Sequence, residues 1–180
     1  MSPHLDIDPG RPSPDEYGEF YAGYIERVPH SRVLAVLDEQ RARVLEIFGR
    51  LDDDSAGFRY APGKWSLKEM LGHLIDTERV FVYRALSFAR GETQPLPGFE
   101  QDDYTEAGSF DARALDGLVE EYESVRAATL TFFANLEPGA WTRAGIASGA
   151  TMSVRALAFA TAGHEACHLA TIEERYREAL

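Results

Sequence analysis

Apolar residues recur along most of this chain at helical spacing. From Arg32 to Leu51 the inward positions read Val33, Leu37, Gln40, Val44, Ile47 and Leu51, in alternating steps of four and three. That alternation is the seam of a helix packed in a bundle. Ser31 is the expected N-cap, and Gln40 is the polar exception at an inward position. A second helix opens at Ser66, where Ser66 and Glu69 form the S-x-x-E capping box. It is expected to run to about Arg90 and end at Gly91. Its stripe is Leu67, Met70, Leu71, Leu74, Ile75, Phe81, Val82 and Leu86. A third helix is read from Asp111 to Leu136, with the seam Leu115, Leu118, Tyr122, Val125, Thr129, Phe132 and Leu136. The fourth runs from Ser153, a second N-cap candidate, to Ala179.

Strand-like alternation is almost absent. The pattern therefore predicts an all-α fold, a four-helix bundle with long connecting loops. Residues 1–14, rich in Pro and Asp, read as an extended or disordered arm, and residues 15–180 as a single domain. Between Asp15 and Val28 a short helix fits, with Tyr17, Phe20, Tyr21 and Tyr24 on one side and Pro29 as its stop. The connections 91–110 and 137–152 are unusually long, and such segments are often functional. The first, which holds Phe99, Glu100, Asp102, Asp103 and Tyr104, is placed to cover a site. The second has room for a small hairpin. No internal repeat is visible.

The composition narrows the function. The chain has 180 residues, 18 Lys plus Arg against 30 Asp plus Glu, and a net charge of −12. No cationic surplus exists to displace counterions, so a nucleic-acid binder and a polybasic membrane anchor are both excluded. The apolar stretch from Val154 to Ile172 carries Arg155, His164, Glu165 and His168, which argues against a membrane span. Residues 1–14 lack the basic start and apolar core of a secretion signal. With a single cysteine, Cys167, no intrachain disulfide forms. A cytoplasmic protein acting on a small molecule is expected.

The chemistry concentrates in the histidines. His164 and His168 lie four residues apart, so both rings share one helix face, with Cβ atoms about 6 Å apart. Two such rings can meet one metal ion, or they can be core residues satisfied by neighbours. On an otherwise apolar helix the paired spacing favours a metal. The string His164-Glu-Ala-Cys-His168 also matches H-E-x-x-H, but only 12 residues follow and none is a histidine. The protease that this motif marks takes its third ligand downstream, so that reading is set aside. The candidates for a third ligand are His4, His30 and His73. His73 sits at the edge of the second helix's apolar stripe, where a side chain can reach a neighbouring helix.

Three segments resemble the DinB/YfiT-like superfamily: Tyr60 to Ser66 (YAPGKWS), Leu71 to Arg79 (LGHLIDTER) and Ala162 to Ala170 (AGHEACHLA). Pro95 to Tyr104 and Tyr24 to Pro29 are similar to it as well. The resemblance covers nearly the whole chain after residue 14. It implies a divalent metal, with Zn or Ni the leading candidates, held by His73, His164 and His168. It also implies a homodimer. Characterised relatives include S-transferases and isomerases that use mycothiol, bacillithiol or related small thiols. A low-molecular-weight thiol is thus an implied co-substrate, and a small-thiol-dependent S-transferase is the implied activity. A metal-dependent hydrolase and a non-catalytic metal-binding or stress-response protein are the alternatives.

Other polar residues carry two readings each. Glu165 is either a general base beside a metal or an interhelical hydrogen-bond partner. Glu78 falls at the centre of its apolar stripe. It is expected to pair with an arginine such as Arg155 or Arg175, or to orient a ligand histidine. Asp76 is expected to be solvated. Gln40, Tyr122 and Thr129 either line a pocket or are satisfied core residues. Cys167 reads as a structural thiol.

Overall fold

Ser66 and Glu69 cap the longest helix as their spacing predicts. The Ser66 hydroxyl oxygen accepts from the Glu69 amide, and the Glu69 carboxylate accepts from the Ser66 amide. The structure, a computed structural model, describes residues 6–180. His4 lies outside the described residues. The bundle consists of α2 (Val33–Phe48), α4 (Leu67–Ala89), α6 (Leu115–Ala134) and α7 (Val154–Arg175). Three shorter helices accompany it: α1 (Ala22–Arg27), α3 (Asp53–Ala56) and α5 (Gln101–Gly108). The protein is an all-α four-helix bundle with one hairpin, β1 (Ala144–Ala147) and β2 (Ala150–Ser153). Ser148 and Gly149 join these strands with φ of 52° and 77°, the paired left-handed conformation of a tight hairpin turn.

Around the bundle, α4 packs against α7 and α6, and α2 packs against α6 and α7. Helices α2 and α4 are therefore diagonal, as are α6 and α7. The core divides along the bundle axis. One cluster joins the first halves of α2 and α7 to the last halves of α4 and α6, with Leu34, Phe88, Phe133 and Phe159. The other joins the opposite halves, with Phe48, Leu71, Leu118 and Ile172. Between them lies a layer of buried polar side chains: Gln40, Glu78, Arg126 and Glu165.

Several sequence expectations need correcting. Helix α2 begins after Arg32, because the Ser31 hydroxyl donates to Asp8 at 2.6 Å instead of capping. Residues 6–13, part of the arm expected to be extended or disordered, lie outside helices and strands and are tied down: Arg11 donates to the Val28 and Ile25 carbonyls, and Arg155 donates to the Pro9 carbonyl. The 91–110 connection is not a bare loop, since it contains α5. The seam of α6 leaves the strict three-four alternation after Tyr122. It continues through Arg126, Thr129, Leu130 and Phe133, because a straight helix repeats at 3.6 residues and drifts about 20° per heptad. On α4, Leu86 is 41% exposed at the outer edge of its stripe, while Arg84, Ala85 and Phe88 are buried. Among the described residues no helix is long and apolar enough to cross a membrane.

Candidate metal centre

Helices α4 and α7 bring His73 to His164 and His168. His164 Nε2 lies 3.0 Å from His73 Nε2 and 3.1 Å from His168 Nε2. One nitrogen from each ring lies within 4.8 Å of the other two. A neutral imidazole has a single N–H to share, so three converging nitrogens cannot all be satisfied by one another. Two nitrogens held about 2.0–2.1 Å from one ion stand about 2.9–3.4 Å apart at right-angled to tetrahedral geometry. The observed separations match, so the donor set fits a single ion. His30 takes no part in the cluster.

The surroundings favour neutral rings, the form that ligates a metal. Burial, with the neighbouring His168 charge, pushes His73 down to about 3. Burial alone lowers His168 to about 4. Burial also holds His164 well below its ordinary range, assisted by repulsion from His168 and His73. Packing fixes the rings. Trp65 lies 4.7 Å from the His73 ring, and Tyr24 stands edge-on to His164 at 5.5 Å. The Thr77 hydroxyl lies 3.4 Å from His73 Nδ1.

Arg126 organises the layer behind the histidines. It is fully buried on α6 and reaches the other three long helices. Its Nη2 donates to Glu78 and to Glu165, each at 2.7 Å, and its Nη1 donates to the Leu37 carbonyl at 2.6 Å. Burial opposes the Arg126 charge, but the Glu165 and Glu78 carboxylates outweigh it and raise its pKa well above the usual value. Glu165 also accepts from the Tyr122 hydroxyl. Burial raises the Glu165 carboxyl against the pull of Arg126.

The structure thus places Glu165 as an interhelical hydrogen-bond partner. Glu78 has the expected buried arginine, but that arginine is Arg126. Arg155 pairs with Glu16 and Arg175 with Glu174. Asp76 is half-buried, and burial raises its carboxyl. Gln40 donates to the Ala162 carbonyl at 2.8 Å, so it and Tyr122 are core residues. Cys167 is a free thiol. A strict three-four seam on α6 turns Val125 inward, whereas the buried residue is Arg126. A 3.6-residue period from Leu115, Leu118 and Tyr122 lands on it.

His73 and His164 open onto a cavity of about 460 Å³. Phe20, Tyr21, Tyr24 and Phe81 form apolar walls, and the 91–110 connection contributes Phe99, Glu100 and Asp102 to the lining. Among the described residues no other His, Cys, Asp or Glu joins the three histidines. A bound ion would therefore keep positions free toward the cavity.

A family model described as the DinB superfamily matches residues 36–172. Among solved structures, YfiT from Bacillus subtilis superposes with a TM-score of 0.73 at 16% identity, covering 94% of this chain and 93% of that one. YfiT is described as a probable metal-dependent hydrolase with an unusual four-helix bundle topology. No curated protein matches this chain.

Proposed function

Because the chain belongs to the DinB superfamily, we propose that it is a divalent-metal-dependent enzyme with His73, His164 and His168 as ligands. Its proposed reaction is transfer of a small thiol onto an electrophile held in the adjoining cavity. The convergence of three imidazole nitrogens, with His73 and His164 lining the adjoining cavity, carries the reading.

When bound, the ion supplies the positive charge that makes a coordinated thiol available as thiolate at neutral pH. The chain's own residues do the rest. His73, His164 and His168 would hold the ion. Tyr24 and Phe81 pack edge-on against the His164 ring, and Trp65 packs against the His73 ring. The bonds from Arg126 to Glu78 on α4 and Glu165 on α7 hold together the two helices that carry the ligands.

Glu165 weighs between thiol transfer and hydrolysis. A hydrolase benefits from a carboxylate free to take a proton from water. Glu165 is occupied by Arg126 and Tyr122, and a thiol needs no separate base once its pKa is lowered. Hydrolysis is the second reading, favoured by the description of YfiT as a probable metal-dependent hydrolase.

Elemental analysis of the purified protein is the first test. About one Zn or Ni per chain, lost in His73→Ala and His168→Ala, is expected. A wild-type protein that contains no metal and cannot be reconstituted with Zn or Ni would sink the proposal. Activity on an electrophile that requires added small thiol supports transfer. Turnover of esters or amides without thiol supports the hydrolase.

A further inference from the structure

Arg84 and Arg126 are both buried on the bundle's inner faces, 2% and 0% exposed. Their surroundings differ sharply. Arg126 has two carboxylates. Arg84 has none among the described residues: its Nη2 donates to the Pro97 carbonyl at 2.8 Å and to Ser148 Oγ at 2.9 Å, both neutral. Its Nη1 is buried with no hydrogen-bond partner among the described residues. A buried cation without a counter-ion is costly. Tying down a loop and a hairpin turn does not require a charge.

Arg84 also lines the cavity above the histidines. His73, Thr77, Phe81 and Arg84 follow one another at helical spacing on α4, and all four face it. Arg84 follows His73 by eleven residues, about 16 Å along the helix axis. The Phe99 ring lies 5.9 Å from its guanidinium, and Phe20, Tyr21 and Phe81 supply apolar surface between the two ends. Glu100 and Asp102 also border the cavity, but they are exposed and largely screened by solvent.

We propose that Arg84 is the counter-ion for a carboxylate on the substrate, so that the cavity takes a small aryl or alkyl carboxylic acid with its opposite end toward the histidines. The planar guanidinium matches a carboxylate in shape. Nη1 has no bond to give up when the ligand arrives. This inference deepens the proposed function, because it assumes that the same cavity is the substrate site.

The test is calorimetric titration with 3-phenylpropionate and its neutral amide, on the protein as purified and after treatment with a chelator. The carboxylate is expected to bind about tenfold tighter than the amide or better in both preparations. Arg84→Met should bring the carboxylate down to the level of the amide and leave the amide unchanged. Arg84→Lys, which keeps the charge, should retain part of the preference and covers the case in which the methionine variant does not fold. Equal affinity for the two probes overturns the proposal. So does a loss in Arg84→Met that falls on both probes alike, the mark of a purely structural arginine. A preference that vanishes with chelation places the carboxylate on the metal, which overturns the role of Arg84 and leaves the metal reading standing. If the protein as purified contains no metal and cannot be reconstituted with Zn or Ni, that result sinks the metal reading, while a carboxylate preference lost in Arg84→Met still supports Arg84.

Discussion

His164 and Glu165 are chain neighbours that serve different partners. His164 Nε2 lies 3.0 Å from His73 Nε2, while Glu165 Oε2 accepts from Arg126 Nη2 at 2.7 Å. The side chains of successive helical residues diverge by about 100°. One therefore serves the cavity and the other the bundle interior. Arg126→Met strands two buried carboxylates and should cost about 3–5 kcal/mol in urea unfolding. Glu165→Gln still accepts from Tyr122 and should cost less, with metal content unchanged. A Glu165→Gln protein of wild-type stability that has lost all turnover would instead make Glu165 the general base.

Trp65 offers a reporter for the ion. Its ring lies 4.7 Å from that of His73, whereas Trp141 is buried in a stack with Phe133 at 5.4 Å. An open-shell ion such as Ni²⁺ or Cu²⁺ in the site should quench the Trp65 emission, and Zn²⁺ should not. Titration of chelator-treated protein should show quenching that saturates near one equivalent. Trp65→Phe should abolish it, and Trp141→Phe should leave it in place.

Much of the fold was legible wherever local chemistry dictates it. The Ser66–Glu69 box, the Ser153 cap and the four-residue step from His164 to His168 act within one turn, and each sits where the spacing puts it. Placing Arg126 and Arg84 depends on helix phase accumulated over several turns. Along α6 a 3.5-residue seam errs by enough to exchange Arg126 for Val125. Helix α5 was hidden for a different reason. It is eight residues long and largely polar, and of its residues only Thr105 is buried, so no apolar stripe announces it.

The Glu16–Arg155 pair ties the segment ahead of α1 to the start of α7, with Arg155 Nε 2.7 Å from Glu16 Oε2. Burial raises the Glu16 carboxyl, but hydrogen bonds from Arg155, the Ser13 amide and the Ser153 and Ser13 hydroxyls outweigh it and bring the pKa from 4.5 to about 2. A folded pKa below the unfolded one favours the charged form. The stabilisation is therefore complete above about pH 4.5 and lost as pH falls through about 2. Allowing for partial exposure, it should amount to about 1–2 kcal/mol. Urea unfolding of wild type and Glu16→Gln should give stabilities that differ most near neutral pH and converge only as pH falls through about 2. A constant offset at every pH would show that the pair contributes nothing through its charge.

Gly163 stands beside His164 in the middle of α7, where glycine costs about 1 kcal/mol relative to alanine. A Cβ at this position would overlap the Tyr24 carbonyl group, which is α1 backbone and cannot step aside as a flexible side chain can. The missing side chain lets α1 lie directly on α7. That contact sets Tyr24 edge-on to His164 and makes it a wall of the cavity. Gly163→Ala therefore gains helix propensity and loses close packing. Overpacking of this kind costs about 1–3 kcal/mol, so the net effect should be destabilising. The displaced Tyr24 should also expose His164, so a bound ion should be released to a chelator faster than from wild type. Gly23, within α1, supplies the control, because a Cβ there meets nothing within 4 Å. Gly23→Ala should leave ion release unchanged and raise stability by up to about 1 kcal/mol. Gains of equal size at both positions would mean that α1 does not pack on α7 this closely, and the cavity wall built on Tyr24 would go with it.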